Sequence, residues 1–241
     1  MAETHRKSQH KGEVAPIPQN GPSILFDLDG TLADSVYEHV LGWEEAFQKQ
    51  RLTVEAWRIH RYIGISGKLL VRGIFREMGR QVRDSQRAKL EELHKKAYEK
   101  MLHGVRLLPG ARELLSELTR RQIRWAIASS GDEKPVNFLK KKLGVPEGVP
   151  AITGQHVEKA KPEPDVFLTA AEQLRVKLQD CIVIGDSIWD LLAARRAGAL
   201  AVGLLSGGYG RAELERAGAY RVYANPAELL AHLEEIGISS Q

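Results

Sequence analysis

A short apolar run, Ile24-Leu25-Phe26, leads straight into Asp27-Leu28-Asp29-Gly30-Thr31-Leu32, and the rest of the chain is organised around this stretch. The run is too short for a helix and lies between Gly21-Pro22 and Gly30, which predicts a buried strand ending at the carboxylates. Along an extended segment residues i and i+2 leave the same face, so Asp27 and Asp29 are expected to point into one small volume. Two anions there are costly unless a cation or a shared proton compensates them. Acids at a strand end often serve only as turn formers, but the loops that follow strands are also where such folds carry function.

Beyond that strand the chain has two textures. In residues 36–51, Val40, Trp43 and Phe47 recur at helical spacing, and residues 68–78 and a charged amphipathic stretch at 83–102 continue the pattern with a break at Gly79. No strand pattern occurs there before Gly104. From Pro109 onward helices alternate with apolar strands. The helices are expected at 110–121, 133–143, 165–174, 188–197, 211–217 and 226–236, and the strands at 123–128, 151–153, 181–184, 201–205 and 220–223. Such alternation implies a parallel sheet covered on both faces, with the site beyond the carboxyl ends of the strands. The expected fold is therefore α/β, a Rossmann-like parallel-sheet core with an inserted all-helical cap domain. Residues 21–35 and 105–241 would form the core and residues 36–104 the cap, while the polar residues 1–20 read as a disordered tail in which His5 and His10 find no metal-ligand partner.

Composition narrows the function classes. No apolar run approaches the roughly 18 residues of a membrane span, and the polar start resembles no secretory signal. The single cysteine, Cys181, lies in an apolar run and reads as core packing, which points to a cytoplasmic location. The formal charge is +4, and residues 36–104 alone hold 14 Lys plus Arg against 9 Asp plus Glu, or +5. These charges form no dense basic tract with interleaved aromatics, so no nucleic-acid partner is expected; a mildly positive lid attracting small anions explains the same numbers. No interface signature for an oligomer stands out.

Asp27-Leu28-Asp29-Gly30-Thr31-Leu32 resembles the first signature, D-x-D-G-T-L, of the haloacid dehalogenase superfamily, whose members are mostly phosphatases. Ser129 after the 123–128 strand, Lys161 in Lys161-Pro162-Glu163-Pro164-Asp165, and Gly185-Asp186 with Asp190 are similar to its other three motifs, in the same order. The resemblance implies Asp27 as the nucleophile forming an aspartyl-phosphate and Asp29 as the acid and base, with Asp29 starting out protonated beside its neighbouring carboxylate. It implies Mg²⁺ as cofactor, held by the Asp27 carboxylate, the Asp29 backbone carbonyl and the Asp186 carboxylate. Asp190 would act behind them or through water, or else serve only the start of its helix. Ser129 would donate to a phosphoryl oxygen, or act as a plain N-cap; Ser130 and Gly131 would add backbone N–H groups, and Lys161, in preference to Lys159, would neutralise phosphate and Asp27.

Two cap residues stay open between substrate contact and ordinary surface roles. His39 stands where histidine occurs in both sugar-phosphate phosphatases and β-phosphoglucomutases, and Lys68 ends a stretch, Ile63 to Lys68, that resembles the substrate-facing cap loop of this branch. The mutases have Glu-Asp where this chain has Gly185-Asp186, and an arginine just after the loop serine where it has Gly67. The implied function is thus a Mg²⁺-dependent phosphatase for a small phosphorylated metabolite of phosphoglycolate or sugar-phosphate type. A β-phosphoglucomutase-like mutase is the alternative, and a non-catalytic binding protein on the same fold comes after it. Dehalogenation is disfavoured, because that branch lacks the acid two residues after the nucleophile. Lys95 and Lys96 read as a solvated helix face.

Overall fold

The four residues Ser23–Phe26 are fully covered on both faces, which only the interior of a sheet allows for so short an apolar run. They form β1 of the computed structural model, which describes residues 21–239. The tail assigned to residues 1–20 lies outside that range. In chain order the other strands are β2 (Ala33–Asp34), β3 (Arg106–Leu107), β4 (Trp125–Ala128), β5 (Ala151–Ile152), β6 (Cys181–Gly185), β7 (Leu200–Leu204) and β8 (Arg221–Tyr223). Among the described residues six strands make one parallel sheet in the order β5-β4-β1-β6-β7-β8. β1 is central, with Ile24 beside both Trp125 and Ile182.

The helices are α1 (Val36–Lys49), α2 (Ala56–His60), α3 (Gly67–Glu77), α4 (Asp84–Met101), α5 (Ala111–Arg120), α6 (Glu133–Leu143), α7 (Asp165–Leu174), α8 (Ile188–Arg196), α9 (Arg211–Ala217) and α10 (Pro226–Ala231). Alternation along β1 sends Ile24 and Phe26 into one apolar layer and Leu25 into the other. Leu114, Leu139 and Leu229 from α5, α6 and α10 complete the first layer; Phe167, Leu191 and Leu214 from α7, α8 and α9 complete the second. Each fully buried leucine or phenylalanine contributes about 1.5–3 kcal/mol, so the two layers hold the sheet ends, and hence the site, in place.

Helices α1 to α4 bury Trp43, Phe47, Ile59, Leu70, Ile74 and Leu90 against one another in a cluster of their own. β2 and β3 pair antiparallel, Ala33 with Leu107 and Asp34 with Arg106, and so tie the chain that leaves the core to the chain that returns. This two-residue pair and the five-residue α2 are too short to leave a periodic pattern, and sequence reasoning missed both. It also expected one closing helix over 226–236. The α-helical part of that span stops at Ala231, where the His232 ring Nδ1 donates to the Glu228 carbonyl at 2.8 Å, the acceptor an unbroken helix would reserve for a backbone N–H, and the span closes with a 3-10 turn at Leu233–Ile236.

Polar contacts seat the α1–α4 segment on the core from two opposite sides. The Arg61 carbonyl accepts from Trp189 Nε1 at 3.1 Å and from the Tyr209 hydroxyl at 2.9 Å, and its guanidinium meets Glu213 at 2.8 Å. On the other side Lys95 pairs with Asp132 at 3.3 Å and Lys134 with Glu99 at 3.1 Å. Among the described residues no helix is long and apolar enough to cross a membrane.

Candidate active site

Asp27, Ser129 and Asp186 each follow a strand end. Asp27 comes directly after β1 and its N–H bonds the Ile184 carbonyl at 2.8 Å; Ser129 follows β4 and its N–H bonds the Ile152 carbonyl at 2.9 Å; Asp186 follows β6. Lys161 reaches them from the connection before α7. Its ammonium, fully buried, donates to Asp27 and, at 3.0 Å, to the Ala128 carbonyl, pairs with Asp190 Oδ1 at 2.8 Å and lies 4.9 Å from the Phe167 ring centre. Asp190 closes the group: its other oxygen takes the Ser187 N–H at 3.2 Å and the Ser187 hydroxyl at 2.6 Å. It therefore completes the capping box of α8 with Ser187 and also faces the lysine, so the helix-start role is not its only one.

Carboxylate oxygens of Asp27, Asp186 and Asp190 lie within 4.8 Å of one another. Thr31 donates to Asp186 Oδ1 at 2.8 Å. Gly30, at φ +84°, and Gly207 press so closely on the other Asp186 oxygen that a Cβ would fall 2.4 Å and 1.8 Å from it. Burial pushes Asp27 up to about 7, with Lys161 opposing and Asp190 and Asp29 adding to the rise. Burial likewise drives Asp186 well above its usual value, reinforced by Asp190 and Asp27. For Lys161 burial works against the charge, but Asp190 and Asp27 outweigh it and its pKa is raised. Three buried carboxylates thus share one ammonium. This hard, oxygen-only, under-compensated set fits a divalent cation such as Mg²⁺.

Asp29 lines the same cavity with a separate set of partners. Its Oδ1 accepts from the Ser35 hydroxyl at 2.6 Å and the Tyr98 hydroxyl at 3.4 Å, and His39 Nε2 stands 3.4 Å away. Burial raises its pKa, but His39 and Ser35 together outweigh burial and leave it below the usual carboxylate value. Sequence reasoning put the spare proton on Asp29 because a second carboxylate lies two residues away. The environments point the other way: burial pushes Asp27 and Asp186 toward protonation, while His39 and Ser35 push Asp29 away from it.

His39 belongs to a stack. Its ring lies 3.8 Å from the Tyr98 ring and its Nδ1 lies 3.1 Å from His94 Nε2; His94 in turn lies 4.1 Å from the Trp43 ring. Burial, with His39 alongside, holds His94 well below its ordinary 6.5, so its ring is neutral in the fold. The folded protein keeps His94 neutral while the unfolded chain takes up a proton below about 6.5, so stability falls as pH drops through that value, by up to about 1.4 kcal/mol per pH unit. His94→Gln should flatten that slope. Urea midpoints of wild type and variant are expected to converge from about pH 7.5 to about pH 5; parallel curves would show that His94 is protonated in the fold.

A cavity of about 370 Å³ opens over Asp27 and Asp29 beneath the α1–α4 segment, lined on the core side by Ser129, Ser130, Gly131 and Val136 and on the helical side by His39, Trp43, Lys68 and Lys95. Ser129 is not the N-cap of α6, a place taken by Asp132; its oxygen accepts from the Gly131 N–H at 3.0 Å, leaving the hydroxyl proton for a ligand. The Gly131 N–H, expected to face an anion, is thus already engaged. The Ser130 hydroxyl is buried and has no hydrogen-bond partner among the described residues. Lys95 and Lys96, read from sequence as a solvated helix face, are both exposed; Lys95 also reaches the cavity rim and pairs with Asp132, and Lys96 pairs with Glu92. Sequence reasoning missed Thr31, Ser35, His94 and Tyr98. Thr31 and Ser35 lie within the opening stretch and could have been found there; His94 and Tyr98 share one face of α4 at an i, i+4 spacing, a signal that a packing role would leave equally well.

A parallel sheet with this carboxylate and lysine set at its carboxyl edge has the architecture of an α/β enzyme whose site lies beyond the strand ends. Residues 23–198 match the family model of haloacid dehalogenase-like hydrolases, and the chain belongs to that family. It is 32% identical over 176 residues to hexitol phosphatase A of Escherichia coli, covering 73% of this chain and 79% of that protein. It is 30% identical over 191 residues to the β-phosphoglucomutase of Bacillus subtilis (77% and 84% covered) and 30% over 190 residues to a phosphoglycolate phosphatase of Vibrio parahaemolyticus (76% and 83%). Among solved structures, a hydrolase from Pseudomonas syringae is 47% identical with a TM-score of 0.86, covering 89% of this chain and 99% of that one. Its relatives place the chain in the phosphatase and phosphomutase group of the family.

Proposed function

We propose that this chain is a Mg²⁺-dependent phosphatase that hydrolyses a small phosphorylated metabolite, of phosphoglycolate or sugar-phosphate type, through an aspartyl-phosphate on Asp27. The floor of the cavity carries this reading: Asp27 is buried at the end of β1 against buried Lys161, while Asp29, beside it, is held by Ser35, Tyr98 and His39. Asp27 and Asp186 would hold Mg²⁺ with the Asp29 carbonyl, and Asp190 would keep Lys161 in place behind them. When bound, the ion supplies charge neutralisation for the phosphoryl oxygens. Residues 36–104 act as the cap that encloses the substrate, with Lys68, which has no ion-pair partner among the described residues, available to its far end.

An Asp27 oxygen attacks phosphorus, the bond from phosphorus to the ester oxygen breaks, and the departing oxygen takes a proton from Asp29. Asp29 is anionic before substrate enters. A phosphoryl dianion beside it raises its affinity for a proton, and Asp29 takes one up from solvent as substrate binds. In the second half Asp29 takes a proton from the water that attacks the aspartyl-phosphate, and phosphate departs from a regenerated Asp27. Lys161 offsets charge on Asp27 and the phosphoryl group throughout, and the Ser129 and Ser130 hydroxyls donate to phosphoryl oxygens. The lone buried thiol of Cys181 suits a cytoplasmic setting.

One observation bears on the mutase alternative. A Cβ at Gly185 would stand 2.4 Å from the Asp190 Cβ, so the glutamate of the mutase pattern has no room unless Asp190 moves. The test is phosphate release from sugar phosphates, sugar-alcohol phosphates, phosphoglycolate and nucleotides, with Mg²⁺ and with chelator. Mg²⁺-dependent release from a small phosphomonoester supports the reading. No release, together with isomer conversion when a bisphosphate activator is added, would replace it with the mutase.

A further inference from the structure

Helix α2 ends on the turn that backs Asp186. His60, 8% exposed, lies between the rings of Tyr37 and Tyr209, each 5.6 Å away, and its Nε2 is 2.7 Å from the Gly207 carbonyl oxygen. A carbonyl only accepts, so Nε2 carries the proton. Gly207 has no room for a side chain because Asp186 Oδ2 lies where its Cβ would be. Next to it the Ser206 hydroxyl donates at 2.6 Å to the carbonyl of Gly30, the other residue pressed against that oxygen. The 206–207 backbone and Gly30 therefore form a wall behind one Asp186 oxygen, while Thr31 holds the other. The residue after His60 is itself fastened, through the Arg61 carbonyl, to Trp189 and Tyr209, so the imidazole approaches the wall from a fixed position.

We propose that His60 is a positioning residue for Asp186. Its bond to Gly207 couples the seating of the α1–α4 segment to the placement of one carboxylate, and thereby to the affinity of the site for a divalent cation. This rests on the reading of Asp186 as a metal ligand. Groups that orient a ligand are worth roughly 10- to 100-fold in metal affinity, and a bond to the backbone behind the ligand should lie at the low end of that range. Coupling is reciprocal: if a seated helical segment favours the cation, the cation favours the seated segment.

The test is calorimetric titration with MgCl₂ of wild type, Asp186→Asn, His60→Phe and His60→Gln, with thermal melts of each. His60→Phe keeps a ring between Tyr37 and Tyr209 but has no donor; His60→Gln keeps a donor near Nε2. Expected are loss of Mg²⁺ binding in Asp186→Asn, weakening by about tenfold in His60→Phe, and recovery to within about threefold in His60→Gln. Wild-type affinity in His60→Phe alongside loss in Asp186→Asn overturns the proposal and leaves the metal site standing. Equal loss in Phe and Gln variants overturns the hydrogen-bond account, and wild-type affinity in Asp186→Asn overturns the metal assignment beneath it. Hydrogen exchange of the wild type decides the matter even if His60→Phe fails to fold. Mg²⁺ should slow amide exchange in residues 60–64 as well as 27–31, and slowing confined to 27–31 overturns the proposal.

Discussion

Asp27→Asn is expected to lower Mg²⁺-supported phosphate release by at least about 10⁴-fold, and at the same time to raise the stability of the metal-free protein. The first effect follows from removing the proposed nucleophile, since the remaining groups would bind and polarise the ester but form no covalent intermediate. The second follows from where the carboxylate sits. Its pKa rises from 3.8 in the free side chain to about 7 in the fold, chiefly through burial and despite Lys161. Between those two values the folded state binds more protons than the unfolded state, so this group makes stability fall as pH rises, and the full penalty is present above about 7. At about 1.4 kcal/mol per unit the penalty is at most about 4 kcal/mol, and a neutral isostere should recover on the order of 2 kcal/mol of it near pH 8 in chelator. The gain should shrink as pH is lowered toward 4 and vanish in saturating Mg²⁺, where a bound cation makes the wild-type charge favourable. Thermal melts and phosphate release on the same two proteins check both halves. More than about 1% residual release overturns the nucleophile assignment. A variant less stable than wild type at pH 8 in chelator overturns the claim that Asp27 is held in an unfavourable ionisation.

The same two-sided environment explains what was legible in the sequence. Asp27, Ser129 and Asp186 each end an apolar run, and Lys161 precedes Pro162, so the core half of the site could be read from local pattern. The alternation of helix and strand after Pro109 was legible for the same reason, since each element spans at least one period of its own repeat. The rest depends on contacts distant in sequence. Tyr98 meets Asp29 across 69 positions, His94 meets His39 across 55, and His60 meets Gly207 across 147. None of these pairings can be read from local pattern. The groups that lower Asp29, His39 and Ser35, do lie nearby in sequence, but which way their side chains turn depends on how α1 packs.

Lys161→Met should be the most destabilising single change in the site. The lysine is fully buried, compensates Asp27 and Asp190 together, and leaves three buried carboxylates without a cation when it is removed. Breaking a buried pair by removing one partner typically costs about 3–5 kcal/mol, and methionine keeps the volume and the contact with Phe167, so the loss reports charge and not a cavity. The cost should depend on pH. Without the ammonium the pKa of Asp27 climbs further above about 7, the folded state retains its proton over a wider range, and the destabilisation is larger near pH 8 than near pH 6. It should also depend on metal in the opposite sense to Asp27→Asn. The ammonium and a divalent cation compensate the same carboxylates and repel one another, so its removal should tighten Mg²⁺ binding and let Mg²⁺ restore more stability to the variant than to the wild type. Phosphate release should nonetheless stay at least about 10³-fold down with Mg²⁺ saturating, because the charge facing the phosphoryl oxygens is gone. Urea unfolding near pH 6 and near pH 8, each with chelator and with Mg²⁺, separates these effects. A cost that is equal at both pH values and indifferent to Mg²⁺ would show that Lys161 serves packing against Phe167, and that the carboxylates find their compensation elsewhere.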